Sequence, residues 1–235
     1  MVDHTVRAYD DELMEIGRKI SEMGGIAETM LTNAIDALVK GDTELAQRVI
    51  ATDPKLDALE REIEEKAVLT IARRQPMAID LRALVSAIRI ASDIERIGDL
   101  AKNVGKRVVA MDGQFAPQKI VGGVVHISDL ALERLHRVLG AYAQRDLNAA
   151  LDVWQHDEEI DQLYNSLFRE LLTYMMEDPR NIGFCTHLLF SAKNIERIGD
   201  HATNIAETIH YLVKGEAITA DRPRVSGAYE PLSLG

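Results

Sequence analysis

The feature that most constrains the fold of this chain is an internal repeat. The pentapeptide Glu-Arg-Ile-Gly-Asp occurs at residues 95–99 and again at residues 196–200, an offset of 101 residues. A second pair of segments, residues 41–60 and 145–164, aligns at an offset of 104 residues, and a three-residue deletion between the two motifs accounts for the difference. We therefore expect two similar halves in tandem, related by a pseudo-twofold axis.

Each half is predicted to consist of three long helices. Aromatic residues make up only 5% of the chain, whereas alanine, leucine, isoleucine and glutamate are abundant, a balance that favours helices over strands. Glycine, proline and helix-capping aspartate mark the breaks between segments. The predicted helices span residues 5–40, 42–74, 77–111, 117–144, 146–178 and 181–214. Short connections make neighbouring helices antiparallel, so the sequence predicts an all-α fold of two tandem three-helix bundles.

The repeat also predicts where the chain divides. The first three-helix bundle is expected to span residues 1–112 and the second residues 113–214. Residues 215–235 have no helical period and contain both proline and glycine, so we expect this tail to be disordered.

Composition excludes several classes of function. The net charge of −11 argues against a nucleic-acid-binding protein, because neutralising phosphates requires a basic face. Cys185 is the only cysteine, which excludes an internal disulfide and a cysteine-based zinc site. The start of the chain carries no signal-peptide pattern, and no apolar run approaches the roughly 20 residues that a membrane span needs. We therefore expect a cytoplasmic protein.

Pairs of acidic residues lie on the border between the apolar and the solvent-exposed face of their helices. Helical-wheel analysis of both pentapeptides, and of the second helix in each half, gives this position. These border acids are Asp53, Asp57, Glu95 and Asp99 in the first half and Asp157, Asp161, Glu196 and Asp200 in the second half. If the borders of two helices meet, each half gathers four carboxylates, which are ligands suited to Mg, Ca, Mn or Fe.

The border acids also have a simpler interpretation as a solvated face. Arg96 and Lys102 are each three residues from Asp99, within reach of an ion pair. An exposed acid pair at i,i+4 costs only a few tenths of a kcal/mol, so its repulsion does not demand a ligand. Duplication of the chain explains part of the agreement between the halves. The pattern alone leaves both interpretations open.

The two halves differ in the charges beside the border acids. Lys55, Lys102 and Lys106 in the first half correspond to Glu159, Thr203 and Glu207 in the second half. Nearby cations weaken metal binding and added carboxylates strengthen it, so we expect the second half to bind metal more tightly.

Proline and glycine predict two further local features. Pro54 should break or kink the second helix, with Asp53 as its N-cap, whereas Glu158 at the matching place should leave the second half straighter. Gly98 and Gly199 remove a side chain close to the acids, which allows another helix to approach.

Several motifs together resemble the PhoU family of phosphate-transport accessory proteins. They are the two Glu-x-x-x-Asp pairs, the stretch QPMAIDLR at residues 75–82 and the stretch ERIGDHATNIAE at residues 196–207. The resemblance extends over roughly residues 5–215. Members of that family carry one Glu/Asp-x-x-x-Asp signature in each of two three-helix bundles.

The resemblance implies a function that the residues alone do not show. It implies a cytoplasmic negative regulator of phosphate uptake and of the phosphate-starvation response, not an enzyme. The expected partners are the ATPase subunit of the phosphate ABC transporter and a sensor histidine kinase. The protein would act as an adaptor between them, as a homodimer, and would reach the membrane only through these partners.

The resemblance also implies metal binding. Carried over residue by residue, it makes all eight border acids ligands of divalent or trivalent ions such as Fe, Mn, Mg or Ca, in multinuclear clusters in some members. Asn103, Asn204 and Glu207 are weaker candidates.

An alternative function is a metal-binding helical protein whose carboxylate clusters store metal or carry hydrolytic or redox chemistry. Glu207 and His210 match the Glu-x-x-His pair of di-iron enzymes, but the sequence contains no second such pair. The border position of the acids predicts open, shallow sites rather than an enclosed catalytic pocket, which favours the adaptor. A plain helical scaffold with incidental acids is the third possibility.

Overall fold

The computed structural model describes residues 2–111 and 118–220, and every regular element within them is helical. The first half contains α1 (Val2–Lys40), α2 (Thr43–Arg74) and α3 (Ile79–Ala110). The second half contains α4 (Gln118–Gln144), α5 (Leu147–Gln155), α6 (Glu158–Glu177) and α7 (Ile182–Lys214), with a short 3-10 helix at Pro179–Asn181. The predicted all-helical fold with two bundles is confirmed, with α5 and α6 in place of one predicted helix.

Aspartate caps begin the equivalent helices of the two halves, as the sequence predicts. The Asp42 carboxylate accepts a hydrogen bond from the backbone N–H of Leu45 at 2.9 Å, before α2. The Asp146 carboxylate accepts one from the N–H of Asn148 at 2.9 Å, before α5. Each cap satisfies a backbone donor that has no partner within the helix. Both turns are therefore specified locally.

The prediction of a break or an N-cap at Pro54 is wrong. Helix α2 continues from Thr43 to Arg74 with Pro54 inside it, and Asp53 lies within the helix. Proline removes one backbone donor and so one helical hydrogen bond. Val49 before the proline and Leu56 after it are both buried in the core, and this packing on either side holds the helix together.

The expectation of a straighter helix in the second half is also wrong, because the helix is interrupted at residues 156–157. At this interruption, side-chain nitrogen atoms contact backbone carbonyl oxygens at the end of α5. The guanidinium of buried Arg134, from α4, donates to the carbonyl oxygen of Val153 at 3.4 Å. Nδ1 of His156 lies 2.8 Å from the carbonyl oxygen of Asp152. Carbonyls that find partners outside the helical ladder allow α5 to end.

The two bundles meet along α3 and α7, which pack in an antiparallel arrangement. The guanidinium of Arg89, early in α3, lies 5.5 Å from the ring centre of Tyr211, late in α7. That of Arg107, late in α3, lies 4.5 Å from the ring centre of Phe190, early in α7. Helix α1 also packs against α4, and the buried apolar residues of both halves form one continuous core. The expected pseudo-twofold relation produces this antiparallel pairing.

Some predicted boundaries fall outside the described residues. These are the junction of the bundles at residues 112 and 113 and residues 221–235 of the tail. Residues 215–220 follow α7 without regular structure, and Ile218 packs against the core. Within residues 2–111 and 118–220, none of the helices combines the length and the apolar character that crossing a membrane requires.

Candidate functional site

The eight border acids lie in two grooves, one in each half. The first groove runs between α2 and α3 and the second between α6 and α7. The first groove contains Asp53, Asp57, Glu95 and Asp99, and the second contains Asp157, Asp161, Glu196 and Asp200. The fold thus brings together the two acid pairs of each half.

Glycine allows the two helices of each groove to approach closely. A Cβ atom at Gly98 of α3 would collide with Cδ1 of Leu56 on α2. A Cβ atom at Gly199 of α7 would lie 2.6 Å from Cδ1 of Ile160 on α6. Any larger residue would force the helices or these core side chains apart. Each glycine lies inside its pentapeptide, next to its aspartate, so a tight contact between the two helices lies beside the acids.

A lysine ammonium occupies the first groove. Nζ of Lys102 donates to Oδ2 of Asp53 on α2 at 2.6 Å and to Oδ1 of Asp99 on its own helix. The Lys102 side chain is only 18% exposed. Burial disfavours the charged ammonium, but the hydrogen bonds and charges of the two carboxylates prevail and raise the pKa of Lys102. The first groove therefore already contains a fixed positive charge.

The surroundings of Glu95 in the first groove shift the pKa of its carboxyl group. Burial, followed by the negative charge of Asp99, raises the pKa of its carboxyl group. Arg96, whose Nε lies 3.5 Å from Oε2 of Glu95, opposes that rise. Asp57 and Glu60 on α2 add smaller upward contributions. Glu95 thus faces acids of α2 as well as its own helix, as expected for a residue inside the groove.

The acids of the second groove have different hydrogen-bond partners from those of the first groove. Thr203 occupies the repeat position of Lys102, and its hydroxyl donates to Oδ1 of Asp157 at 2.7 Å. Glu196 is only 8% exposed, and its Oε1 accepts a hydrogen bond from Nζ of Lys193 at 2.7 Å. Its second oxygen, Oε2, is buried without a hydrogen-bond partner. A buried acceptor without a donor is unfavourable, so this oxygen is available to a cation or donor from outside the chain.

We expect Glu196→Gln to stabilise the metal-free protein in a pH-dependent way. Burial raises the pKa of Glu196 from its ordinary value of 4.5; Lys193 opposes that rise, and Asp200 and Asp161 reinforce it. The folded protein therefore holds this proton more tightly than the unfolded chain, and stability falls as the pH rises above 4.5. At pH 7 to 8 the variant should melt about 2–4 °C higher, the shift typical of about 1 kcal/mol.

Thermal unfolding in EDTA from pH 4 to pH 8 measures the effect of Glu196→Gln. The gain in Tm should disappear toward the acid end, where the glutamate is neutral in both states. Glu170→Gln, an exposed change on α6, is the matched control and should leave Tm unchanged. The same gain at every pH would show that ionisation of Glu196 is not its cause.

Two of the weaker metal candidates have partners away from the acids. Nδ2 of Asn204 lies 3.4 Å from Oδ1 of Asp93 on α3, so it points toward the contact between the bundles. Glu207 accepts a hydrogen bond from the indole N–H of Trp154 at 3.1 Å. Asn103 is half-buried on α3. The four acids of each groove therefore remain the principal candidates.

Fewer of the charged residues that distinguish the two halves contact the border acids than the sequence suggests. Glu159 forms an ion pair with buried Arg134, and Glu207 is bonded to an indole, so both carboxylates have other partners. Lys55 forms an ion pair with Glu22 on α1 at 3.2 Å. Of the substitutions predicted to favour the second half, Lys102 and Thr203 are the pair that contacts the border acids.

Sequence reasoning did not identify two charged neighbours of the grooves. Lys193 bonds to Glu196, and its ammonium lies 5.2 Å from the ring centre of Tyr164. Its spacing of three residues from Glu196 is a signal for an ion pair on one helix. Glu60 lies three residues after Asp57, and the same spacing places it on that face of α2.

The grooves differ in how well they fit a metal ion. Within residues 2–111 and 118–220, no three carboxylate, imidazole or thiol side chains are close enough to enclose an ion as they stand. An ion could therefore be enclosed only if these side chains moved closer together. The chemistry of the second groove is compatible with a hard cation, because its acids present oxygens and Oε2 of Glu196 is buried without a hydrogen-bond partner. That of the first groove is not, because the Lys102 ammonium stands between Asp53 and Asp99.

The family model described as the PhoU domain matches residues 20–108 and 124–209. The chain belongs to the PhoU family. The two matched segments correspond to the two bundles, so each bundle, with its groove, is one PhoU domain.

Relatives and solved structures in the PhoU family match nearly the whole chain. A phosphate-specific transport system accessory protein PhoU homolog from Rhizobium meliloti (strain 1021) is 57% identical over 221 residues, covering 94% of this chain and 93% of the relative. A homolog of the same description from Caulobacter vibrioides (strain NA1000 / CB15N) is 50% identical and covers 96% and 98%. The crystal structure of PhoU from Pseudomonas aeruginosa aligns with a TM-score of 0.84 at 38% identity, over 88% of this chain and 100% of that one. The phosphate transport system regulatory protein PhoU from Streptococcus pneumoniae aligns with a TM-score of 0.82 at 29% identity, over 90% and 100%.

Proposed function

We propose that this protein is a cytoplasmic accessory regulator of a phosphate transport system, and that it restrains phosphate uptake and the phosphate-starvation response. Near full-length similarity to relatives described as accessory or regulatory proteins of such systems supports the role. The protein acts by contact and not by catalysis. As a homodimer, it links the ATPase subunit of the transporter to a sensor histidine kinase.

An exposed apolar stripe on α6 carries the docking part of the proposal. Phe168, Leu172 and Met176 are 36%, 41% and 85% exposed. Their spacing of four residues places them on one side of the helix. Exposed apolar surface of this kind is typical of protein contact sites. The corresponding first-half positions on α2 are Glu64, Val68 and Ala72, so the stripe distinguishes the second bundle.

Replacing Leu172 and Met176 together with serine should weaken capture of the transporter's ATPase subunit by about 10-fold or more, as expected when central apolar contacts are lost. Biolayer interferometry with the purified ATPase subunit measures this. Val68→Ser, an exposed change at the matching place in the first half, is the control and should leave affinity unchanged. Undiminished binding by the double variant, or failure of the unaltered protein to bind, contradicts the docking proposal.

We further propose that the second groove binds Fe, Mn, Mg or Ca through Asp157, Asp161, Glu196 and Asp200. The buried, unpaired Oε2 of Glu196 and the low exposure of Asp157 support the proposal. A bound cation would neutralise carboxylates from the two sides of the groove and hold α6 against α7.

Metal titration of two matched alanine variants tests that proposal. Asp200→Ala should lower Mn²⁺ affinity by about 10-fold or more, because it removes a direct ligand of the second groove. Asp99→Ala, at the same repeat position in the first groove, should change the affinity by less than about 2-fold. Isothermal titration calorimetry on protein treated with EDTA and then dialysed measures both. The opposite order, with Asp99→Ala removing the tighter site, would overturn the assignment.

A further inference from the structure

The two grooves differ in chemistry at one repeat position that contacts the same acid in both halves. Residues 102 and 203 are related by the offset of the pentapeptides, as are Asp53 and Asp157 by that of the preceding helices. Nζ of Lys102 lies 2.6 Å from Asp53, and Oγ1 of Thr203 lies 2.7 Å from Asp157. The fold therefore presents an ammonium in one groove and a neutral hydroxyl in the other at equivalent places.

The Lys102 ammonium makes the contacts that a bridging cation would make. It is bonded to one carboxylate from α2 and to one from α3, so it joins the two helices of the groove. Its side chain is 18% exposed, less than that of Asp99, which is 30% exposed. A protonated amine at this place supplies positive charge permanently and needs no exchange with solution.

Lys193 does not play the same part in the second groove. Its ammonium bonds to Glu196, which lies on the same helix, and its side chain is 48% exposed. The bond leaves Oε2 of Glu196 buried without a partner. Lys193 therefore does not join two helices as Lys102 does, and Oε2 of Glu196 is an oxygen that a cation could satisfy.

We propose that Lys102 is a built-in cation that takes the place of a metal ion in the first groove. The residue at positions 102 and 203 then decides which groove takes up metal. The first bundle is held by its own lysine whatever the metal supply, and the second bundle alone responds to metal. The proposal rests on the metal-binding role proposed for the second groove.

Reciprocal substitution tests this proposal with Mn²⁺ as the probe. Lys102→Thr should gain a second Mn²⁺-binding site, seen as roughly doubled stoichiometry in calorimetry, and Thr203→Lys should lose Mn²⁺ affinity by about 10-fold or more. Thermal unfolding is the second readout: Mn²⁺ should raise the Tm of Lys102→Thr more than that of the unaltered protein. Lys55→Thr, which removes an exposed lysine paired with Glu22, is the control and should bind like the unaltered protein.

The outcomes separate this inference from the proposed function. If the unaltered protein binds Mn²⁺ and Lys102→Thr binds no more, the inference is wrong and the second-groove site stands. If only Lys102→Thr binds, the lysine excludes metal from the first groove, but the second-groove site is wrong and so is the inference that the second bundle alone responds to metal. If neither binds, both are wrong. Circular dichroism checks folding, and Lys102→Gln, which keeps a long neutral side chain, replaces Lys102→Thr if that variant does not fold.

Discussion

Replacing Lys102 with methionine is expected to lower the free energy of unfolding by about 2–3 kcal/mol in metal-free protein. Methionine keeps an unbranched side chain but removes the ammonium, which leaves buried Asp53 and half-buried Asp99 without the cation between them. Removing one partner of a buried ion pair costs about 3–5 kcal/mol, and the partial exposure of this one reduces the loss. Urea denaturation in EDTA, followed by circular dichroism, gives the difference.

Two further variants identify the cause of that loss. Lys193→Met should cost less than about 1 kcal/mol, because the Lys193 side chain is 48% exposed and bonds to an acid of its own helix. Adding Asp53→Asn to Lys102→Met should recover a large part of the loss, since a neutral amide no longer needs the ammonium. A stability of Lys102→Met within about 0.5 kcal/mol of the unaltered protein would mean that the ammonium does not hold the groove together.

The helices and their order could be predicted because their signals are local. Aspartate caps at Asp42 and Asp146 and the period of the apolar residues specify where α2 and α5 begin. The repeat then predicts the second half from the first. The border position of the acids could likewise be predicted, because a helical period fixes the face on which each side chain lies, but whether two such borders meet was left open.

The interruption of the second half could not be predicted in the same way. Proline is a local signal, and it pointed to Pro54, where buried residues on both sides keep α2 intact. The actual break depends on Arg134, which reaches Val153 from α4, a helix that precedes α5 in the chain. Sequence spacing within one helix carries no information about such a contact, since it depends on how two helices pack.

The sequence shows that the two halves differ in charge beside the border acids, but not which of these charged residues contact the acids. Three lysines in the first half and two extra acids in the second distinguish the halves. The sequence alone gives no reason to rank their effects on the border acids. In the fold, Glu159 forms an ion pair with Arg134, and Glu207 accepts a hydrogen bond from Trp154. Both carboxylates therefore have partners other than the border acids. Lys102 alone among the three lysines is seen bonded to border acids. Which of several nearby charges enters a groove is settled by tertiary packing.

Replacing Gly199 with valine should lower the free energy of unfolding by about 3 kcal/mol and weaken Mn²⁺ binding in the second groove. A Cβ atom at this position would lie 2.6 Å from Cδ1 of Ile160, which is buried, so α7 must move away from α6. Overpacking a core contact costs about 1–3 kcal/mol, and valine adds two methyl groups beyond the Cβ atom. Gly199 lies between Glu196 and Asp200, so separation of the helices also spreads the acids of the groove.

A double-mutant cycle tests whether contact with Ile160 is the cause. Ile160→Val deletes the Cδ1 atom and alone should cost about 0.5–1.5 kcal/mol, yet combined with Gly199→Ala it should cost less than the two single changes added together. Gly122→Val on α4, where a Cβ atom meets nothing within 4 Å, is the control and should stay within about 1 kcal/mol. Strict additivity at residues 160 and 199 would show that the close approach of α6 and α7 does not depend on this glycine, because the clash would then lie elsewhere.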